Sequence, residues 1–291
     1  MPRSMTQEQK DSIIAQKIAT PDGRAQLGQT MLEPFKLGRD YVGIGRKCMA
    51  VDVLPTGAPM WYDKDPQFSA VTLAQDGMVP YEIIKGDRVY YEPFLIASLV
   101  RVPALEVAVR RFNILDREQK KGRIEMAKEE DVRIFAAIDA AAGTATGHND
   151  VVTAAAGTTR VSLADLALQI EQHNAPTVTY LMNPAQYRDI RCWSRDEIDP
   201  VTSYELRKTG YVGDLWGANI RTSFKVPVGT IYAITEPQLF GVVSVRIDLS
   251  VWDAPDQIKL HYGWIFFEYI AVIAVQAVGA AKATITGSYT P

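Results

Sequence analysis

The sequence predicts an α+β chain, and three observations predict it. From Asp116 to Ala142 there is no proline and a single glycine, Gly122, over an apolar stripe at helical spacing. From Ser162 onward a helix, a strand and a second helix follow one another. Beyond Asn219 the chain becomes a series of β segments that ends in the apolar run Trp264 to Val278.

Residues 1–47 read as an arm. Thr6 with Gln9 has the pattern of a capping box, and Ile13, Ile14, Lys17 and Ile18 share one helical face. Thr20-Pro21-Asp22-Gly23 stops that piece. A second patch holds Met31, Leu32, Phe35 and Leu37, and neither patch is large enough for a core. Residues 48–93 have β character with broken periodicity. Val51, Val53 and Leu54 precede the turn Pro55-Thr56-Gly57, and Met60-Trp61-Tyr62 precedes Asp63-Lys64-Asp65-Pro66. Short strands at Val71-Thr72-Leu73 and Tyr81 to Ile84 are punctuated by Asp76-Gly77 and Lys85-Gly86-Asp87. The stretch is expected to be an extended hairpin with little core of its own.

In the long helix, Ile124, Ala127, Ile134, Phe135, Ile138 and Ala141 form the buried stripe. The outer face is expected to carry Arg117, Lys120, Lys121 and Arg123, then Glu129, Glu130 and Asp131. Gly143 to Gly147 breaks the helix. Ser162-Leu163-Ala164-Asp165 reads as a capping box for a helix with Leu163, Leu166, Ala167 and Ile170 inward, ending near Asn174-Ala175-Pro176. A strand is expected at Val178 to Met182, then a helix with Asn183 as N-cap and Pro184 at its first position. Further strands are expected at 219–224, 230–234 and 241–249. Both alternating faces of Trp264 to Val278 are apolar, which predicts a central strand covered on both sides.

Composition narrows the class. At 291 residues the chain makes one large or two ordinary domains, taking about 150 residues per domain. With 47% hydrophobic and 22% charged residues it is neither disordered, collagen-like nor a coiled-coil rod. A net charge of −3 excludes a nucleic-acid binder that works through overall basicity. Cys48 and Cys192 cannot form a disulfide framework, which suggests a reducing compartment. The first residues hold no apolar run of the secretory kind. Gly263 to Ala281 is long enough to span a bilayer. Glu268, Gln276 and its many β-branched and aromatic residues make a buried strand the better reading, so no membrane partner is expected.

The search for chemistry is mostly negative. There is no G-x-S-x-G, C-x-x-C, H-E-x-x-H or Walker loop, and Gly43-Ile44-Gly45 is a lone G-x-G. His148, His173 and His261 lie far apart, and the two cysteines read as small buried hydrophobes. Asp196, Glu197 and Asp199 read as a turn before Pro200. No catalytic, cofactor-binding or metal-binding residue is therefore assigned, and no cofactor is expected. The one candidate for nucleic-acid contact is the basic cluster Arg110, Arg111, Arg117, Lys120, Lys121 and Arg123. A salt-bridged face with Asp116, Glu118 and Glu125 is the favoured reading of it.

The order of these elements resembles the major capsid protein of tailed bacteriophages, the Hong Kong 97-like fold. The stretch Arg111-Phe112-Asn113-Ile114-Leu115-Asp116-Arg117, leading into Lys128-Glu129-Glu130-Asp131 and Ile134-Phe135-Ala136-Ala137, resembles that family's spine helix. Tyr180-Leu181-Met182-Asn183-Pro184 resembles the strand-to-helix corner of its axial domain. Gly213-Asp214-Leu215-Trp216-Gly217 and then Val226-Pro227-Val228-Gly229-Thr230 are similar to its loop-and-strand passage. Glu268 to Ile270 followed by Ala280-Ala281-Lys282-Ala283 looks like the closing strand of the peripheral domain.

The resemblance implies an N-arm at 1–47, an extended β-hairpin E-loop at 48–93 and a peripheral domain with the spine helix at 94–144. It implies an axial domain at 145–252 and a return to the peripheral domain at 253–291. The implied function is structural: pentamers and hexamers of the chain tile an icosahedral head around double-stranded DNA, held without sequence preference. Trp61, Tyr62, Phe68 and Tyr81 are the expected contacts between subunits, because aromatics bury much area with little entropy loss. A portal and scaffold or decoration proteins are the further partners implied, in the virion and, during assembly, the host cytoplasm. Lys64 and Lys85 lie in the hairpin, but no cross-linking acceptor or catalytic glutamate can be matched to them. The competing readings are an encapsulin-like nanocompartment and a soluble enzyme with an unrecognised site.

Overall fold

A computed structural model of the chain describes residues 41–55, 57–65, 72, 86–109, 114–142, 152–154, 157–193 and 213–287. These residues form two units. Among them, one comprises Ala97–Met126 and Val251–Phe266, the other the described residues of 42–96, 127–250 and 267–287.

The core of the larger unit is built on a six-stranded sheet in the order β5-β12-β9-β6-β8-β7. Its members are β5 (Val152–Ala154), β6 (Thr179–Met182), β7 (Asp214–Leu215), β8 (Ala218–Thr222), β9 (Thr230–Ile234) and β12 (Ala280–Ile285). All residues of β6 and β9 are buried, as expected of inner strands. Strand β6 runs parallel to β8 and antiparallel to β9. Two helices supply the rest of the core: α3 (Arg160–Glu171) through Leu163, Leu166 and Ile170, and α4 (Pro184–Arg191) through Tyr187 and Ile190. The expected cap of α4 is present, with Asn183 Oδ1 accepting from the Ala185 N–H at 3.0 Å and Pro184 opening the helix. The cap of α3 lies three residues earlier than expected. Thr159 is the N-cap, its hydroxyl accepting from the Ser162 N–H at 3.2 Å while Ser162 Oγ accepts from the Thr159 N–H. Ser162 is therefore the third helical residue of the box and not its first.

A second sheet has the order β1-β10-β11-β4, from β1 (Ala50–Val53), β4 (Phe94–Pro103), β10 (Gly241–Asp253) and β11 (His261–Ala274). The run expected to be central is β11, and it is an inner strand. The remaining pair, β2 (Trp61–Asp63) and β3 (Arg88–Tyr90), is antiparallel. A short helix α1 (Ala104–Val109) leads to α2 (Ile114–Ala142), the long helix the sequence predicts, and α5 (Pro237–Phe240) is a single turn before β10. No helix among the described residues is long and apolar enough to cross a membrane.

Three expectations meet a different placement. Strand β1, inside the stretch read as a free hairpin, pairs in parallel with β10 from Ala50↔Val242 to Val53↔Val245. Strand β12, read as closing the peripheral domain, lies between β9 and β5 in the six-stranded sheet. Its small residues Ala280, Ala281 and Ala283 are wholly buried there, where larger side chains would not fit. Glu130 and Asp131, expected on the solvated face of α2, are buried at 7% and 1% exposure. Asp131 accepts from the backbone N–H groups of Ile44 at 2.9 Å and Gly45 at 2.8 Å, and so ties the chain before β1 to the helix. The approach is close enough that a Cβ on Gly45 would lie 2.6 Å from Ile134 Cδ1.

Candidate assembly site

The hairpin root is the first part of the candidate site. In its register Trp61 faces Tyr90, Tyr62 faces Val89 and Asp63 faces Arg88. Side chains alternate along strands, so Trp61, Asp63, Arg88 and Tyr90 share one face and Tyr62 and Val89 the other. On the first face Tyr90 is displayed and Trp61 is half-buried. Arg88 stands 5.1 Å above the Trp61 ring and pairs with Asp63 at 2.9 Å, and Tyr90 is 72% exposed. The second face is tied inward. The Tyr62 hydroxyl donates to Asp52 Oδ2 at 2.7 Å, and its ring stacks on Tyr91 with centroids 5.5 Å apart. Burial, then the Asp52 carboxylate accepting its proton, hold the Tyr62 hydroxyl above its ordinary pKa. Arg246 Nη2 donates to the Ala58 carbonyl at 2.7 Å, fixing the turn before β2.

Of the four aromatics expected at subunit contacts, Trp61 belongs to the first face and Tyr62 to the anchored one. Phe68 and Tyr81 lie outside the described residues. Tyr90 is the contact candidate that sequence reasoning passed over; its signal was its place in the short run Arg88-Val89-Tyr90-Tyr91 after the Lys85-Gly86-Asp87 turn.

A charged junction forms the second part, in the larger unit. Arg46 faces three carboxylates. Its Nε donates to Glu130, its Nη1 to Asp248 at 3.1 Å, and its Nη2 reaches Glu268 at 3.5 Å. Burial lowers the Arg46 pKa, but Glu130 and Asp248 outweigh it and the guanidinium stays firmly charged. Burial raises Glu130 despite its hydrogen bond to Arg46. Glu268 is 1% exposed, and among the described residues its Oε1 has no hydrogen-bond partner. Burial, with the charges of Glu130 and Asp248 added, pushes its pKa up to about 7. One cation cannot neutralise three anions, so the junction holds a shared proton more readily than an isolated carboxylate would. Asp248 goes the other way: burial opposes its ionisation, but the Leu249 backbone hydrogen bond and Arg46 prevail and lower it.

The basic face of α2 is partly accounted for. Lys121 pairs with Glu118 at 2.8 Å, and Lys120 and Arg123 are exposed. Arg110 and Arg111 lie outside the described residues. The smaller unit displays apolar side chains around the turn from β10 to β11: Trp252 at 65%, Ile258 at 95% and Leu260 at 72% exposure. Leu260 sits at φ 53°, a left-handed conformation uncommon for leucine. Cys48 is buried, and desolvation raises its thiol to about 12; Cys192, expected to be buried, is exposed at the end of α4. Among the described residues no group of three or more His, Cys, Asp or Glu is placed to hold a metal ion.

No family model and no curated protein matches the chain. Solved structures do. The capsid of cyanophage P-SCSP1u matches with a TM-score of 0.65 at 14% identity, covering 92% of this chain and 99% of that one. The capsid of a native GTA particle matches at 0.63 and 14%, covering 89% and 96%. The mature capsid of bacteriophage PhiM1 matches at 0.63 and 13%, covering 88% and 92%. The chain has the α+β fold of these phage capsid proteins, the architecture its element order resembles.

Proposed function

We propose that the chain is the major structural subunit of an icosahedral phage head, assembling with copies of itself into pentamers and hexamers around double-stranded DNA. The observation that carries this reading is the two-way coverage of the fold match. The chain accounts for nearly all of each capsid subunit, and almost none of the chain is left over for a catalytic domain. The protein's role is then structural and its place the virion, with assembly in the host cytoplasm. A portal, and scaffold or decoration proteins, are the further partners of this reading. The face of Trp61, Arg88 and Tyr90 supports a contact role for the hairpin: it leaves Trp61 half-buried and the Tyr90 ring exposed on a ribbon too small to bury them itself.

Negative-stain electron microscopy of the expressed protein, and of lysate from infected cells, tests the reading. Uniform closed particles tens of nanometres across are expected on the pattern of such shells. DNA inside supports a phage head, a protein cargo would indicate a nanocompartment, and a small monodisperse species in both samples would refute the shell. The hairpin role is tested beyond its root, because β1 is part of the four-stranded sheet. Replacing residues 65–85 by a short Gly-Ser turn should leave soluble protein or capsomers without closed shells, and normal shells would remove that role.

A further inference from the structure

We propose that the cleft between the Gly45–Lys47 turn and the end of β8 binds a backbone phosphate of nucleic acid. The cleft has a volume of about 240 Å³ and is lined by Ile44, Lys47, Asn219, Ile220, Arg221 and Thr222. Among the described residues no carboxylate lines it, and two cations do. Arg221 Nε is buried and, among the described residues, has no hydrogen-bond partner.

The backbone adds a donor on the same side. Asn219 and Ser223 donate their N–H groups to Val178 and Met182 on the β6 side. By strand alternation the N–H groups of Ile220 and Thr222 point to the opposite edge. That of Ile220 is taken by the Gly213 carbonyl at 2.8 Å. The register of β7 reaches only Ala218 and Asn219, so Thr222 lies beyond its cover. Arginine, lysine, an amide, a hydroxyl and a backbone N–H are together the donor set that proteins present to phosphate. Among the described residues no aromatic ring lines the cleft to stack on a base, so the contact is with the backbone and independent of sequence. The basic face of α2 is a poorer candidate, because Lys121 is already engaged by Glu118.

This inference rests on the shell reading, which supplies the nucleic acid. Its test is the salt dependence of binding to a labelled DNA duplex of about 30 base pairs, read by fluorescence anisotropy from about 50 to 200 mM salt. The wild type is compared with Lys47→Gln/Arg221→Gln and with Lys47→Arg/Arg221→Lys, which keeps both charges. Loss of the one phosphate contact should reduce the slope of log K against log salt by about 0.9 in the Gln pair. Over that fourfold salt range the wild type should lose roughly three- to fourfold more affinity than the Gln pair. The charge-preserving pair should keep the wild-type slope, and a randomised duplex should behave like a fixed one. An unchanged slope in a folded Gln pair overturns the site. Loss of closed shells with the slope unchanged would place an acidic side chain of a second copy in the cleft, and also overturns it. Closed shells with no change in slope leave the shell reading standing. A changed slope in a protein that never forms shells removes the shell reading and keeps the site.

Discussion

Replacing Glu268 by Gln should change how stability depends on pH, and the junction around Arg46 sets both sign and size. The Glu268 carboxyl moves from an ordinary 4.5 to about 7 on folding. A carboxyl whose folded pKa is raised binds its proton more tightly in the native state. Its stabilising contribution is complete below 4.5, declines as pH rises through 7, and is gone above that. A shift of this size corresponds to roughly 3 kcal/mol between the ends of the window, at about 1.4 kcal/mol per unit. Glu130 is raised as well and acts in the same direction. Asp248 and Asp139 are lowered, so their contributions are present above about 4 and fade in more acid solution, outside this window. Gln keeps the shape, removes the proton equilibrium and leaves Arg46 paired with Glu130 and Asp248. The variant should match the wild type near pH 5 and exceed it above pH 7 by up to about 3 kcal/mol. Urea unfolding of both proteins from pH 5 to 8, at one fixed protomer concentration, measures the difference. Parallel profiles, or a wild type that gains stability relative to the variant as pH rises, would refute the charge argument.

Gly122→Ala should destabilise the smaller unit. A Cβ there would lie 2.3 Å from the Phe266 ring, which is fully buried. The overpacking cost of about 1–3 kcal/mol exceeds the helix gain of about 0.5–1. Thermal unfolding reads the sign, and a stabilised variant would contradict the contact. Tyr232→Phe removes a 2.7 Å hydrogen bond from a buried hydroxyl to Asp139, which also binds Lys282 at 2.6 Å. The expected loss is about 1.5–3 kcal/mol, the range for a hydrogen bond to a charged group, in denaturant titration. Thiol titration at pH 8 should modify Cys192 in the native protein and leave Cys48 untouched until denaturant is added. Burial both shields Cys48 and lifts its thiol to about 12. Equal reactivity of both thiols would contradict that burial.

Much of the fold was legible because local chemistry agrees with it. The uninterrupted helix around Gly122, the Asn183-Pro184 corner and the two-sided apolar run of β11 all carry their signals within a few residues. The candidate site was harder to read. Trp61 and Tyr62 are neighbours in sequence, yet one lies on the face of Tyr90 and the other is anchored, because the register with β3 puts them on opposite faces. Glu130 and Asp131 read as solvated charges on a helical face. Only the approach of residues 44–46, more than eighty positions away in sequence, supplies the donors that let them be buried.

The sequence by itself determined the long helix, the helix–strand–helix run and the late strands, and with them the fold class, while β4, α1, β5 and α5 were not read from it. Helical and strand periods, caps and turns are set by neighbours along the chain. Tertiary structure alone decided the partners. It placed β1 beside β10 and β12 beside β9, gathered Arg46, Glu130, Asp248 and Glu268 into one junction, and set Arg221 of β8 beside Lys47 in one cleft. Those pairings join residues as many as 222 positions apart, and a charge or an edge donor acquires its meaning only from what the fold sets against it.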